Sequence, residues 1–365
     1  MYKVSKLDKS DMPEIERLLS TRNELDPQGA AVRTQLMEWT AFHNPAAEDL
    51  EATYFVAKDE GKVIAFHGRM PNYFNWEGRK VKGYFVHDLY VDPEYRKKGK
   101  GFWLTIALAK AIEQESDSFF CLYGMTKLNL QMQRRRGYFE TSVPIYWKYL
   151  TASGKIEKLV KLPQVARLLS PIGTTVLKLL DQIILPLHSR KLDVSEVERC
   201  DAQFNILFEK LKTKTKLCSY KDASYLNWKF MDRPYKREKI LVARKNNELI
   251  GYLVYGVQPK AKNQVGIILD IQVNAEDQQA IGTLIGACIK ALRNQGAQVI
   301  QCICSDSRYQ AVLKKLMFIK GKGTDGTKTV MLGNLEKTDI SPEAIKNMNN
   351  WHFTRSESDA FLLSQ

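Results

Sequence analysis

Apolar and polar positions along the 365-residue chain change period in the same order twice. "TYFVAKDEGKVIAFHGRM", from residue 53, reads as two strands around Asp59-Glu60-Gly61, a turn that suits a hairpin. "KILVARKNNELIGYLVYG", from residue 239, repeats that layout around Asn246-Asn247-Glu248. A further strand follows in each stretch, "GYFVHDLYVDP" or "GIILDIQVNA". Next comes a run with apolar residues at helical spacing, "GFWLTIALAKAIEQ" or "AIGTLIGACIKALRNQG". Another strand ("SFFCLYGM", "QVIQCICS") and a short helix ending in "RRGYFE" or "KLMFIKG" complete each series. A Trp six positions ahead of a Pro precedes both hairpins, Trp39 before Pro45 and Trp228 before Pro234, and both indoles read as core. The same order twice is best explained by two copies of one α/β unit.

This order divides the chain into a first domain over residues 1–150, a connector over 151–200, a second domain over 201–335 and a tail over 336–365. The connector stretch "GKIEKLVKLPQVARLLSPIGTTVLKLLDQIILPLHSRKLDVSEVER" reads as helices broken at Pro163 and Pro171 and ending near Pro186. It suits packing between the domains. Its alternative is a basic amphipathic element on a membrane surface, because Lys155, Lys158 and Lys161 alternate with Leu and Val. The aromatics of the tail suit packing.

Charge narrows the partners. A formal net charge of +14 and a pI near 9.3 favour something anionic: nucleic acid, a membrane surface or a phosphorylated cofactor. The six cysteines show no CxxC spacing, so reduced thiols in the cytoplasm are expected rather than disulfides or zinc. His43, His67, His188 and His352 lack metal-ligand spacing, and no metal is expected. The N-terminus does not have the pattern of a signal peptide, and no apolar run approaches the ~18 residues of a membrane span.

Candidate chemistry concentrates in "YVDPEYRKKGKGFW", residues 90–103, between a strand and a helix. A glycine-containing loop that opens a helix leaves backbone N–H groups aimed at one point, where the helix dipole favours phosphate. Gly99 and Gly101 permit close approach, and Arg96 adds a fork suited to phosphate oxygens. The spacing is neither that of a P-loop nor that of a dinucleotide fingerprint.

"HDLYVDPEYRKKGKGFWLTIALAKAI" resembles the acetyl-CoA-binding motif V-x-P-x-x-R-x-x-G-x-G/A of the GCN5-related N-acetyltransferase (GNAT) superfamily. The match falls at Val91, Pro93, Arg96, Gly99 and Gly101. "TKLNLQMQRRRGYFE" is similar to that family's next motif, a helix ending in Gly-aromatic, here Gly137-Tyr138. The resemblance implies a tandem member built from two mixed, mostly antiparallel twisted sheets flanked by helices and joined by the helical connector. It implies acetyl-CoA as co-substrate, held by Leu89, Tyr90, Val91, Arg96, Lys97, Lys98, Gly99, Lys100, Gly101 and Phe102. The implied reaction is transfer of acetyl to a primary amine of a small molecule, with a bacterial cell-surface amino sugar as the leading acceptor. An acyl or aminoacyl donor is the alternative.

Where polyamine-acetylating relatives carry a Glu base followed by Asp, this chain has His87 followed by Asp88. A His titrating near neutrality suits deprotonation of an ammonium. Alternation along a strand allows only one of the two to face a cleft. Gln133 stands where many members carry a Tyr acid, leaving Tyr138 and Tyr123 as substitutes. Arg134, Arg135 and Arg136 suit either a solvated helix end or the 3′-phosphate of CoA. In the second copy Gln278, Ile281 and Thr283 replace Arg96, Gly99 and Gly101, which implies a unit that has lost CoA binding. Asp270 repeats Asp88 there, but Leu269 replaces His87. The rival class is a non-catalytic protein binding nucleic acid or a membrane periphery. Motifs for nucleic acid are missing, so that partner is not expected.

Overall fold

The computed structural model describes residues 2–22, 24–48, 51, 53–152, 163–260 and 263–357. The first series forms β1 (Lys3–Lys6), α1 (Met12–Leu19), α2 (Pro27–Phe42), β2 (Tyr54–Asp59), β3 (Lys62–Trp76), β4 (Arg79–Val91), α3 (Pro93–Lys97), α4 (Gly101–Gln114), β5 (Phe120–Tyr123), α5 (Lys127–Arg135) and β6 (Phe139–Tyr149). A long helix, α6 (Pro163–Leu187), leads to the second series. That series forms β7 (Asp193–Val197), α7 (Ala202–Leu211), β8 (Leu217–Ser219), α8 (Ala223–Leu226), β9 (Lys239–Lys245), β10 (Glu248–Lys260), β11 (Asn263–Val273), α9 (Gln278–Asn294), β12 (Val299–Ile303), α10 (Ser307–Lys315), β13 (Ile319–Lys320), β14 (Thr327–Gly333) and α11 (Pro342–Lys346). Both hairpins close on residues with positive φ, Glu60-Gly61 and Asn246-Asn247, the pair of dihedrals that two-residue turns require.

The two units share one sheet in the order β1-β2-β3-β4-β5-β14-β6-β12-β11-β10-β9-β7. β4–β5 and β11–β12 run parallel, and the other ladders are antiparallel. β6 serves both units. Phe139–Pro144 pairs with β14, whereas Ile145–Tyr149 pairs with β12 and Tyr146-Trp147 also with β13. The last strand of the second unit therefore completes the sheet of the first, between β5 and β6. One apolar cluster spans the junction, from Phe74, Phe85 and Phe119 to Trp228, Phe230 and Trp351. The repeated tryptophans meet there, Trp39 Nε1 donating to the Trp228 carbonyl at 3.1 Å.

Pro171 does not break the connector, contrary to expectation: α6 runs through it from Pro163 to Leu187. Proline removes one helical N–H and crowds the carbonyl four residues back. The buried side of α6 compensates, with Asp181 held by Lys148 at 2.7 Å and by Arg293 at 2.6 Å. Lys155, Lys158 and Lys161 lie outside the described residues. The tail packs through residue 357, with Trp351 and Phe353 in the shared core.

Candidate functional site

β4 and β5 pair only over Tyr84–Val86 and Phe120–Leu122, then part. A cavity of about 910 Å³ opens in the gap, walled by His87, Asp88 and Leu89 on one side and Tyr123, Gly124 and Met125 on the other. At the parting point the β3–β4 register slips between Phe66 and Gly68, and Asp88 takes a φ of 51°. A bulge of this kind re-aims side chains. It places both His87 and Asp88 on the cavity wall, where simple alternation would allow one.

The bulge is fastened from beneath. Arg33, from α2, pairs with Asp88 Oδ1, and the Tyr54 hydroxyl, from β2, donates to Oδ2 at 2.9 Å. His87 Nδ1 lies 3.3 Å from the same oxygen. Burial pushes the Asp88 carboxyl upward, but Arg33, His87 and Tyr54 outweigh it and hold it well below the usual carboxylate range. Asp88 is thus a fixed anion beside the imidazole, placed to orient it. His67, on β3, also lines the cavity and is buried. Burial, then His87 and Arg136, push its pKa down to about 3, so it is neutral at physiological pH.

At the far end of the cavity, Pro93 starts α3 behind an Asp92 cap, and the chain turns through Gly99 (φ 74°) into α4. The α4 N-terminus has no side-chain cap, which leaves its first amides available to an anion. Arg96, Gly99, Gly101 and Phe102 line the cavity there. Arg22 and Arg96 both lie over the Tyr90 ring, at 5.3 and 5.5 Å from its centroid, which draws two guanidinium groups to this end.

The expected donor-binding residues therefore separate. Leu89, Arg96, Gly99, Gly101 and Phe102 face the cavity. Tyr90 instead supports the two arginines and meets the Thr21 hydroxyl at 3.0 Å, and Val91 is buried in the core beside α4. Lys98 and Lys100 lie over the Tyr95 ring, and Lys97 is exposed on α3. Tyr138 needs correction as a proton donor: it lies outside the cavity lining, and its hydroxyl donates to Glu113 Oε1 at 2.6 Å. Burial and Glu113 push that phenol upward. Tyr123 does reach the cavity. Gln133 is buried and bonded to Asn129 at 3.1 Å. Arg134 pairs with Glu140, whereas Arg135 and Arg136 line the cavity, Arg136 while paired with Glu113. Arg22, Arg33, Tyr54 and His67 are site residues that no local spacing marks.

In the second unit the corresponding spaces are filled by the chain itself. Asp277 caps α9 by accepting from Ala280 N, and Arg190 pairs with Asp277. The Arg190 backbone N–H donates to Thr283 Oγ1 at 3.0 Å. A Cβ on Gly282 would stand 1.9 Å from the His188 carbonyl, so this helix start is covered by backbone. Where β11 and β12 part, the segment 351–357 enters: Ser356 N donates to the Leu269 carbonyl, Ser305 N to the Phe353 carbonyl, and Cys304 bridges Thr354. Lys221, fully buried, ties this plug by pairing with Asp270 at 2.6 Å and Glu357 at 2.9 Å.

Residues 15–131 match the acetyltransferase (GNAT) family. That match covers about a third of the chain, and the fold over most of its length is similar to those of solved acyltransferases. A GCN5-related N-acetyltransferase from Anabaena variabilis is similar in structure, with a TM-score of 0.58 at 12% identity over 91% of this chain and 72% of that one. N-myristoyltransferase of Saccharomyces cerevisiae, solved with bound myristoyl-CoA, has a TM-score of 0.58 at 14% identity over 93% of this chain and 80% of its own. A GCN5-related N-acetyltransferase from Kribbella flavida has a TM-score of 0.55 at 13% identity, covering 91% and 70%. No curated protein matches the sequence.

Proposed function

We propose that the chain is an N-acyltransferase that moves an acetyl group from acetyl-CoA to a primary amine of a small molecule, with amino sugars the first class to test. One observation carries this reading: a single cavity joins the uncapped start of α4, behind Arg96, to the His87–Asp88 pair where β4 leaves β5. The α4 amides and Arg96 suit the CoA pyrophosphate. His87 takes a proton from the acceptor ammonium, and the freed nitrogen forms its bond to the thioester carbon. The carbon–sulfur bond breaks, the nitrogen gives up its second proton to water, and the departing thiolate takes a proton from water or from Tyr123, which water then reprotonates. The Leu89 amide, beside the bulge, is the proposed donor to the carbonyl oxygen. The second unit serves as a scaffold that does not bind CoA, a role supported by its filled helix start and plugged cleft. Six buried free cysteines support a reducing, cytoplasmic setting.

A longer acyl donor is the second reading. It is favoured by the apolar lining, which includes Ile106, Leu122, Met125, Leu128 and Met132.

Free-thiol release tests both readings, using acetyl-CoA and longer acyl-CoAs against a panel of amines. Calorimetry on His87→Ala should show unchanged acyl-CoA binding while turnover falls about a hundredfold or more. Undiminished turnover rejects His87 as the base. Absence of binding by any acyl-CoA rejects the proposed activity.

A further inference from the structure

We propose that α6 docks the chain on an anionic lipid surface. The helix has 25 residues, about 37 Å, and carries two apolar faces. One is buried: Leu185 packs beside Gly286 of α9, and Asp181 pairs with Lys148 and Arg293. The opposite face presents Ile172, Val176, Leu179, Ile183 and Leu187, each between 49% and 69% exposed. Their spacing of three or four residues lays them along one stripe of about 22 Å. Single exposed aliphatics are ordinary, but a continuous stripe marks an interaction surface. Nothing among the described residues covers it.

Charge selects the occupant. Between residues 171 and 187 the one acidic side chain, Asp181, is turned to the core, and the exposed charged side chain is Lys178. Over residues 155–191, seven Lys and Arg stand against Glu157 and Asp181, in a chain of net charge +14. A second copy would bring like charges together on this face. An anionic headgroup layer instead takes the aliphatic stripe and Lys178 at once. A nucleic acid would leave the stripe uncovered. The helix would lie on the surface, because no helix of the described residues is long and apolar enough to cross a membrane. This inference is independent of the proposed acyl transfer and is tested without substrates.

The test is co-sedimentation of the full chain with phosphatidylcholine vesicles containing about one third phosphatidylglycerol, beside vesicles of phosphatidylcholine alone. Binding should favour the anionic vesicles and weaken with salt. The combined variant Ile172→Ser, Leu179→Ser and Ile183→Ser changes only exposed positions, so its melting temperature should be unchanged. Its partition should fall about tenfold or more. No binding to anionic vesicles, equal binding to neutral ones, or equal binding by the variant would each overturn the proposal. A dimer in light scattering that this variant converts to monomer, with no vesicle binding, would assign the face to a second copy instead.

Discussion

His87 and Gly68 face each other across β3 and β4, and a Cβ on Gly68 would stand 2.8 Å from both Cε1 and Nε2 of the imidazole. The Tyr54 ring would be 2.9 Å away on the same side. Real Cβ atoms do not tolerate such contacts, so one ring must move. Both rings belong to the Asp88 cluster: Tyr54 bonds Asp88, and His87 Nδ1 stands beside it. Gly68→Ala is therefore expected to displace His87 from the cavity wall. Steady-state kinetics should show kcat lowered by about tenfold or more, with the calorimetric affinity for acyl-CoA preserved. An unaltered kcat would show that the ring's position does not matter to turnover.

The two glycines of the loop should fail for different reasons. Gly99 has a φ of 74° with open space around its Cβ position, so alanine there adds backbone strain of about 1 kcal/mol. A Cβ on Gly101 would stand 3.1 Å from Arg96 Cγ and 3.5 Å from its Cα, and larger groups must push the arginine away. Gly101→Val is expected to weaken acyl-CoA binding by about tenfold or more, and Gly99→Ala by roughly fivefold. Calorimetry on both variants checks the order. A larger loss at Gly99 would place the critical constraint in the turn rather than at Arg96.

Stability should fall on mild acidification, and His67 supplies part of the slope. Its folded pKa is near 3 against 6.5 for the free side chain, owing to burial and then to His87 and Arg136. Below pH 6.5 the unfolded chain takes a proton that the folded site refuses. The stabilisation is thus present above pH 6.5 and is lost toward pH 3, by about 1.4 kcal/mol per unit. His352, buried and also lowered, acts with the same sign. Urea unfolding of His67→Gln should show a shallower loss between pH 6.5 and 5, by about 1–2 kcal/mol. An unchanged slope would mean that His67 titrates normally in the fold.

Much of this architecture is written in local pattern. The hairpin turns at Glu60-Gly61 and Asn246-Asn247 and the strand–loop–helix passage through Gly99 and Gly101 both depend on residues near one another in sequence. The site's support does not. Arg33 reaches Asp88 from 55 residues away, and Tyr54 from 34. Their roles depend on packing that no spacing encodes. His87 and Asp88 share a wall because of a bulge, whose single extra residue breaks the alternation on which a strand reading relies. The exchange of β6 and β14 between units is equally long-range. Tyr138 neighbours the site in sequence, but Glu113, 25 residues earlier, takes its hydroxyl.

The plug in the second unit gives the last prediction. Lys221 is buried between Asp270 and Glu357, with the Thr354 and Tyr252 hydroxyls completing Asp270 and Ser219 donating to Glu357. The ammonium holds β11 to the segment 351–357 and sets one positive charge between two carboxylates. Lys221→Met keeps the volume of the stem but leaves both carboxylates buried without their cation. Breaking such a cluster on one side costs about 3–5 kcal/mol. Urea unfolding should register that loss, and limited proteolysis should cut near residue 351 sooner than in the parent chain. Adding Asp270→Asn and Glu357→Gln removes the stranded charges and should restore part of the stability, since neutral groups are less costly to bury than unpaired ions. If the single variant loses less than about 1 kcal/mol, the segment is held by Trp351 and Phe353 packing, and the buried ions are incidental to the plug.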